Sequence, residues 1–312
     1  MAETGTLPHD RGHLLWTADE GVSRLLLSSM DRWVTTILAD DCIDSPLFGM
    51  GEKTTATIIA KDDGLVAGTA MVDHLIQIWA PSISINWHAS DGKKVSIGDD
   101  IATLNGDQES ILKMERSILN ILGQLSGIAT ETKKWSAIAV KQIACTRKTT
   151  WGLLDKWAVH LGGGLTHRLN REDALMIKEN DLASMDGTLT DNSERIAKFI
   201  QEMDVEQLNS FLEIEVRTEK EAITAAAIWQ NTHGESGHKV VIMLDNFGPE
   251  KSKQVVNQLE DMGLRDAVYL EASGNITHEK LEQWFECGID VLSTSAINRG
   301  VKPLDMSMIF GD

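Results

Sequence analysis

The chain has 312 residues, 42% of them hydrophobic, enough apolar material for one large or two modest soluble domains. Its 29 Lys and Arg stand against 47 Asp and Glu, a formal charge of −18. A chain this acidic presents no general basic face, which argues against nucleic acid and an anionic membrane as partners. No apolar run approaches the ~20 residues of a membrane span. Residues 1–13 are polar and lack the apolar stretch of a secretory signal, so the expected location is the cytoplasm. Cys42, Cys145 and Cys287 are odd in number and match no zinc or redox spacing, which fits a reducing compartment. Cys145 and Cys287 lie in apolar contexts and read as buried thiols.

Residues 1–18 read as a loose arm. Apolar positions at Leu25, Leu26, Met30, Trp33, Val34, Ile37 and Leu38 predict a helix over 19–40. After a loop around Pro46 to Gly51 the period changes to two. Residues 55–61 and 65–72, flanking Asp62-Asp63-Gly64, predict a hairpin, and 84–89, 94–99 and 101–104 predict further short strands. The front of the chain is thus a small β-rich layer with a helix. A long helix is predicted from Gln108 to Val140, N-capped by Asp107 and with a candidate break at Ser126-Gly127.

From there strand-like and helix-like segments alternate at a spacing of about 20–40 residues, the rhythm of a parallel barrel. Six apolar runs end on a charged or polar side chain: 143–147, 174–178, 211–215, 240–245, 267–273 and 290–293. In a (β/α) barrel the side chains just past each strand share one mouth. Arg147, Lys148, His167, Arg168, Lys178, Glu215, Asp245 and Ser273 would gather there. Such a set suits a small, multiply anionic substrate and a positively charged transition state. The segment 147–178 also carries three more cations than carboxylates in an otherwise acidic chain.

Several motifs allow two readings. Gly162-Gly163-Gly164 stops the helix predicted over 153–161 and lets the chain fold back to bring His167-Arg168 over the mouth. Arg147-Lys148 pairs a planar fork with a flexible point charge, suited to carboxylate or phosphate, or to an ion pair with Glu215 or Asp245. Glu215 and Asp245 end consecutive strands, with Glu213 on the same face as Glu215. They can bind sugar hydroxyls or a hard cation such as Mg²⁺, stabilise a developing cation, or pair structurally with Lys148 or Lys178. Ser273-Gly274-Asn275 and Ser293-Thr294-Ser295-Ala296 are hydroxyl-rich late-strand loops of the kind that hold a phosphate. The turns Asp91-Gly92 and Gly98-Asp99 resemble those of biotinyl and lipoyl carrier domains, but no Met-Lys-Met-like hairpin is present, and they read as scaffold.

The run Cys145-Thr146-Arg147-Lys148-Thr149-Thr150, then Asp155-Lys156-Trp157-Ala158-Val159, the three glycines, His167-Arg168-Leu169 and Ile177-Lys178-Glu179-Asn180 resemble the central signature of quinolinate phosphoribosyltransferases. Glu115-Arg116-Ser117-Ile118-Leu119-Asn120 and Leu125-Ser126-Gly127-Ile128-Ala129-Thr130 are similar to that family's inter-domain helix. Glu213-Ile214-Glu215-Val216, Met243-Leu244-Asp245-Asn246 and Glu271-Ala272-Ser273-Gly274 fall at its barrel-strand ends. The resemblance covers roughly 20–310.

It implies an α/β fold, an N-terminal α/β sandwich over 1–125, rejoined by 299–312, and a C-terminal open (β/α) barrel over 126–298. It implies a homodimer or higher even oligomer with shared active sites. The implied reaction joins quinolinate to phosphoribosyl pyrophosphate with Mg²⁺, giving nicotinate mononucleotide, pyrophosphate and CO₂. Arg116 would reach quinolinate across the dimer, and Arg147, His167, Arg168 and Lys178 would line its pocket. Lys148, Glu215 and Asp245 would hold the donor and its metal and serve catalysis. Ser273, Gly274, Asn275, Ser293 and Ser295 would meet the phosphate.

Four departures stand out. Trp151-Gly152-Leu153-Leu154 is shorter than the family's stretch and lacks its arginine. Asp181 stands for a histidine, Asn275 for a glycine and Ser295 for a glycine. They leave open a related phosphoribosyltransferase for another aromatic acid or base, or a non-catalytic binding protein.

Overall fold

The computed structural model of the chain describes residues 7–139, 142–185 and 189–311. They fall into two compact units. One comprises 138–147 and 167–295 with the N-terminal piece ending at Asp10; the other comprises Arg11–Ala137, Lys148–Thr166 and the tail from Ala296.

The second unit is built on a four-stranded antiparallel sheet. Its strand order is Met306–Phe310, Lys53–Ala60, Asp100–Asp107, Ser84–Trp87. The helix predicted over 19–40 begins at Arg24, where the Ser23 hydroxyl accepts the Leu26 N–H, and ends at Asp40. Residues 21–22 are taken instead by a short ladder with 16–17. The loose arm expected over 1–18 is also corrected: from Leu7 on it is placed, with Leu15 and His9 fully buried.

The hairpin predicted across Asp62-Asp63-Gly64 does not form. Lys53–Ala60 pairs with the strands at 100–107 and 306–310, Gly64–Leu65 pairs with Lys94–Val95, and Thr69–Trp79 is a helix. The cause lies outside the segment. The Asp91 carboxylate accepts the N–H groups of Gly68, Thr69 and Ala70 at 2.7, 2.9 and 3.2 Å, capping this helix from 21 to 23 residues away. Met71, Val72, Leu75 and Ile76 then share one buried face.

The long helix runs Gln108–Ile138 without a break; its predicted end at Val140 lies outside the described residues. Asp107 caps it, its Oδ1 accepting the Ser110 N–H at 2.8 Å. Gly127 does not interrupt the helix. It clears a path, since a Cβ there would lie 2.4 Å from the Lys302 carbonyl oxygen. Gly→Ala in an open helix interior stabilises by about 1 kcal/mol. Here Gly127→Ala is expected to reverse that sign and cost about 1–3 kcal/mol in denaturant unfolding, because backbone must move.

The first unit is a six-stranded parallel sheet that curls into an open barrel. In chain order the barrel strands are Ile143–Ala144, Leu175–Ile177, Leu212–Val216, Val240–Asp245, Val268–Ser273 and Val291–Ser293. Each overlaps one of the predicted runs. Their spatial order is first, sixth, fifth, fourth, third, second. The first strand therefore pairs with the sixth, and the seam lies between the first and second. Helices Glu219–His233 and Gly248–Asp261 follow the third and fourth strands. Val240, Val241, Ile242 and Leu244 are fully buried, the uniform apolar run expected of a strand covered on both faces. Among the described residues no helix is long and apolar enough to cross a membrane.

Candidate active site

Strand register ranks the polar ends of the barrel. Asp245, Ser273 and Ser293 are partners across the fourth, fifth and sixth strands. Glu215 stands two register positions behind, opposite Met243, which pairs in turn with Glu271. Arg147 leaves the first strand, and Lys178 follows the second at the start of the helix Glu179–Met185. The parallel sheet thus brings Arg147, Lys178, Glu215, Asp245, Ser273 and Ser293 to its C-terminal edge, as the pattern of six runs predicts. Arg116 and Lys148 belong to the second unit. Arg116 is two-thirds exposed and borders a cleft of about 410 Å³ with Trp151 and Lys302. The Lys148 carbonyl accepts from Asn298 Nδ2 at 2.9 Å.

The alternative ion pair expected for Glu215 is present. Lys178 Nζ donates to Glu215 Oε2, with the lysine half exposed and the carboxylate nearly buried. Asp245 Oδ2 lies 3.8 Å from Arg217 Nε, and its Oδ1 accepts from Asn246 Nδ2 at 2.9 Å. Arg217 was not among the predicted residues, although it follows the third strand directly. With Lys220, Lys251 and Asp245 it lines a cavity of about 370 Å³. Glu215 and Asp245 are hard oxygen donors on adjacent strands beside these cations. As a donor set they are of the kind a hard divalent cation such as Mg²⁺ prefers.

Arg168 is 6% exposed. Its Nη1 donates to the Ala174 carbonyl at 3.1 Å and its Nη2 lies 3.3 Å from Met176 Sδ. Its Nε–H has no hydrogen-bond partner among the described residues. Burial first, then the charges of Arg147 and Arg171 against the pull of Glu213, hold Arg168 below the usual guanidinium value. A buried guanidinium crowded by other cations favours an incoming anion.

His167 does not stand openly at the mouth, where the sequence reading put it. It is 3% exposed, with Nε2 3.4 Å from Glu213 Oε2 and 3.2 Å from Glu271 Oε2. Burial works against its imidazolium, but the two carboxylates outweigh burial and raise it to about 10. Burial opposes ionisation of Glu271 too, yet the charge and hydrogen bond of His167, aided by His9, hold its carboxyl well below the usual range. Glu213, pushed up by burial and by the charge of Glu271, is the acid of the pair that keeps its proton more readily. Glu271 carried a usable sequence signal: it precedes Ser273 by two, as Glu213 precedes Glu215. For His9, 262 residues from Glu271, there was none.

The matches to known proteins follow this geometry. The model described as "Quinolinate phosphoribosyl transferase, C-terminal domain" matches residues 128–309, and the corresponding N-terminal domain model matches 34–126. The chain belongs to the quinolinate phosphoribosyltransferase family. A probable nicotinate-nucleotide pyrophosphorylase (carboxylating) of Methanothermobacter thermautotrophicus is 35% identical over 276 residues, spanning 86% of this chain and 92% of that one. The chloroplastic nicotinate-nucleotide pyrophosphorylase (carboxylating) of Oryza sativa is 36% identical, over 82% of this chain and 69% of that one. The nicotinate-nucleotide pyrophosphorylase structure from Francisella tularensis superposes with a TM-score of 0.75 at 30% identity, covering 91% and 96% of the two chains.

Departures from the quinolinate phosphoribosyltransferase pattern have local physical accounts. Asn275 has φ +54°, a conformation that favours glycine but that Asn tolerates better than most residues. Its Nδ2 donates to Asn246 Oδ1 at 3.1 Å, so the loop keeps its turn and gains a tether. Asp181 accepts the Lys178 N–H at 3.0 Å and so fixes the lysine's backbone. The short stretch after Thr150 is held in the second unit by Asp155, whose two oxygens accept the Thr150 and Trp151 N–H groups at 2.8 and 3.1 Å. Ser295 is half-buried at the edge of the first unit, and nothing in the structure explains its replacing a glycine.

Proposed function

We propose that this chain transfers the phosphoribosyl group of phosphoribosyl pyrophosphate to quinolinate and releases CO₂, forming nicotinate mononucleotide in NAD biosynthesis. One observation carries the reading: in a chain of net charge −18, Arg147 and Arg168 lie close enough to repel each other, and Lys178 pairs with Glu215 and Arg217 with Asp245 at the ends of parallel strands. Cations in that position serve a dianion such as quinolinate. Carboxylates beside them serve the positive charge that develops when a diphosphate leaves a sugar.

In this reading Arg147, Arg168 and Lys178 hold the two carboxylates of quinolinate and aim its ring nitrogen at the ribose C1. Arg217 and Lys220, near Asp245, neutralise the diphosphate. Glu215 and Asp245 face the oxocarbenium-like carbon and stabilise it as the C–O bond breaks. They would also hold Mg²⁺, which supplies further charge neutralisation on the leaving diphosphate. Ring-nitrogen attack forms a pyridinium, and that cation accepts the electron pair when the 2-carboxylate departs as CO₂. The backbone at Ser273, Gly274 and Asn275, with Ser293 and Ser295, binds the 5′-phosphate. The Ser293 hydroxyl is buried and has no hydrogen-bond partner among the described residues, which leaves it available. We place Arg116 of one protomer at the mouth of its partner in a homodimer, and the protein in the cytoplasm.

The test is incubation of purified protein with quinolinate, phosphoribosyl pyrophosphate and Mg²⁺. Stoichiometric nicotinate mononucleotide and CO₂ are expected. Turnover of nicotinate in preference to quinolinate, or binding of quinolinate without product, would overturn the assignment.

A further inference from the structure

The N-terminal arm contributes a buried histidine to the barrel. His9 is fully buried, and its Nε2 lies 2.8 Å from Glu271 Oε2. The same carboxylate oxygen lies 3.2 Å from His167 Nε2. The His9 backbone reaches the same residue by a second route, because its carbonyl accepts the His167 N–H at 2.9 Å. The two imidazoles meet edge to face at 5.1 Å, and Phe211 packs 5.2 Å from His9.

His167 needs this support. Its φ is +55°, a left-handed conformation that is uncommon for a residue with a side chain. Such a residue persists only where its surroundings over-determine it. Its ring also faces the next residue, with Nδ1 2.7 Å from the Arg168 nitrogen. The orientation of the His167 ring therefore sets where the Arg168 backbone leaves the loop. Arg168 is then anchored on Ala174.

We propose that His9 is a positioning residue for the anion site, clamping Glu271 and the His167 backbone so that the adjoining Arg168 is held in place. This rests on the reading that Arg168 lines the quinolinate pocket. His9 touches no substrate; it acts through Glu271 and His167. His9, His167 and Glu271 also offer three ligand atoms within 4.8 Å of one another, as a metal site would. The 2.8 Å contact between His9 and Glu271 is a direct hydrogen-bond distance, and the geometry favours a proton between them over a metal ion.

The experiment compares the full-length wild type with His9→Ala, His9→Phe and His9→Gln in steady-state kinetics with both substrates. Phe keeps the ring contacts with Phe211 and His167 but removes the donor, so it guards against a variant that fails to fold. Gln places an amide near the lost Nε2. Ala and Phe are expected to raise the KM for quinolinate by roughly 10- to 100-fold, as a small misplacement of a binding group does. The KM for phosphoribosyl pyrophosphate should stay within about threefold, and Gln should recover most of the loss. A purely structural role would instead lower kcat and leave both KM values alone, and that result overturns the proposal. Stoichiometric zinc in the purified wild type, lost from His9→Phe, overturns it as well. A wild type that does not turn over quinolinate overturns this proposal and the functional reading together. An active wild type with His9 variants that match it overturns the proposal alone.

Discussion

Lys178→Ala is expected to lower kcat/KM for quinolinate by roughly 10²–10³-fold while the fold stays intact, the loss typical of removing one preorganised charged donor. The lysine side chain is half exposed, so its removal forfeits little burial. The pair it makes with Glu215 stabilises by no more than about 1 kcal/mol, as for other solvent-accessible ion pairs. Its backbone N–H bond to Asp181 survives the substitution, so the start of the helix Glu179–Met185 is kept. The functional loss is larger for two reasons. In the proposed reading a donor to a substrate carboxylate disappears, and Glu215 is left facing an anion with its neutralising partner gone. Glu215→Gln separates these effects. It should leave the KM for quinolinate nearly unchanged and lower kcat, because the charge opposite the developing cation is lost. Kinetics on both variants, with thermal melts beside them, check the expectation. If Lys178→Ala moved only the melting temperature, the pair would be structural and the mouth would not be the quinolinate site.

The barrel was legible because parallel strands buried on both faces read as unbroken apolar runs, and chemistry at their C-terminal ends breaks the run with a polar residue. The run 240–245 is the observed strand, and the other five differ from theirs by a few residues at the ends. The segment 65–72 was misread for the complementary reason. Val66, Met71 and Val72 suit either period, and the decision rests with Asp91, a cap that only the folded chain brings close. Charge was legible at the mouth but pairing was not. Lys178 with Glu215 was one of several pairs the sequence allowed, and Arg217 near Asp245 was overlooked beside a more familiar motif. His9 illustrates the limit. A histidine in a polar arm carries no periodicity, and its partner lies 262 residues away.

Glu271→Ala is expected to cost about 3–5 kcal/mol of stability, the penalty for removing one partner of a buried charged pair. Glu271 is fully buried and its Oε2 lies within hydrogen-bond reach of both His9 and His167, so its loss leaves two imidazoles without their common acceptor. The same cluster predicts a pH signature. His167 is raised to about 10 in the folded chain against 6.5 as its ordinary value. Its contribution is therefore fully present below about 6.5 and is lost as the pH climbs to 10, at no more than about 1.4 kcal/mol per unit. Glu213 acts with the same sign, since a raised carboxyl also favours the folded form at lower pH. Glu271 acts oppositely: held below its ordinary value, it stabilises above that value and loses its effect only in acid. Urea unfolding of wild type and His167→Gln at pH 6.5 and 9.5 checks the sign. The stability difference between them should shrink at the higher pH, because only the wild type loses a proton there. A difference that is the same at both values would mean that His167 is neutral in the folded chain, held by its Nδ1 bond from Arg168 and not by the two acids.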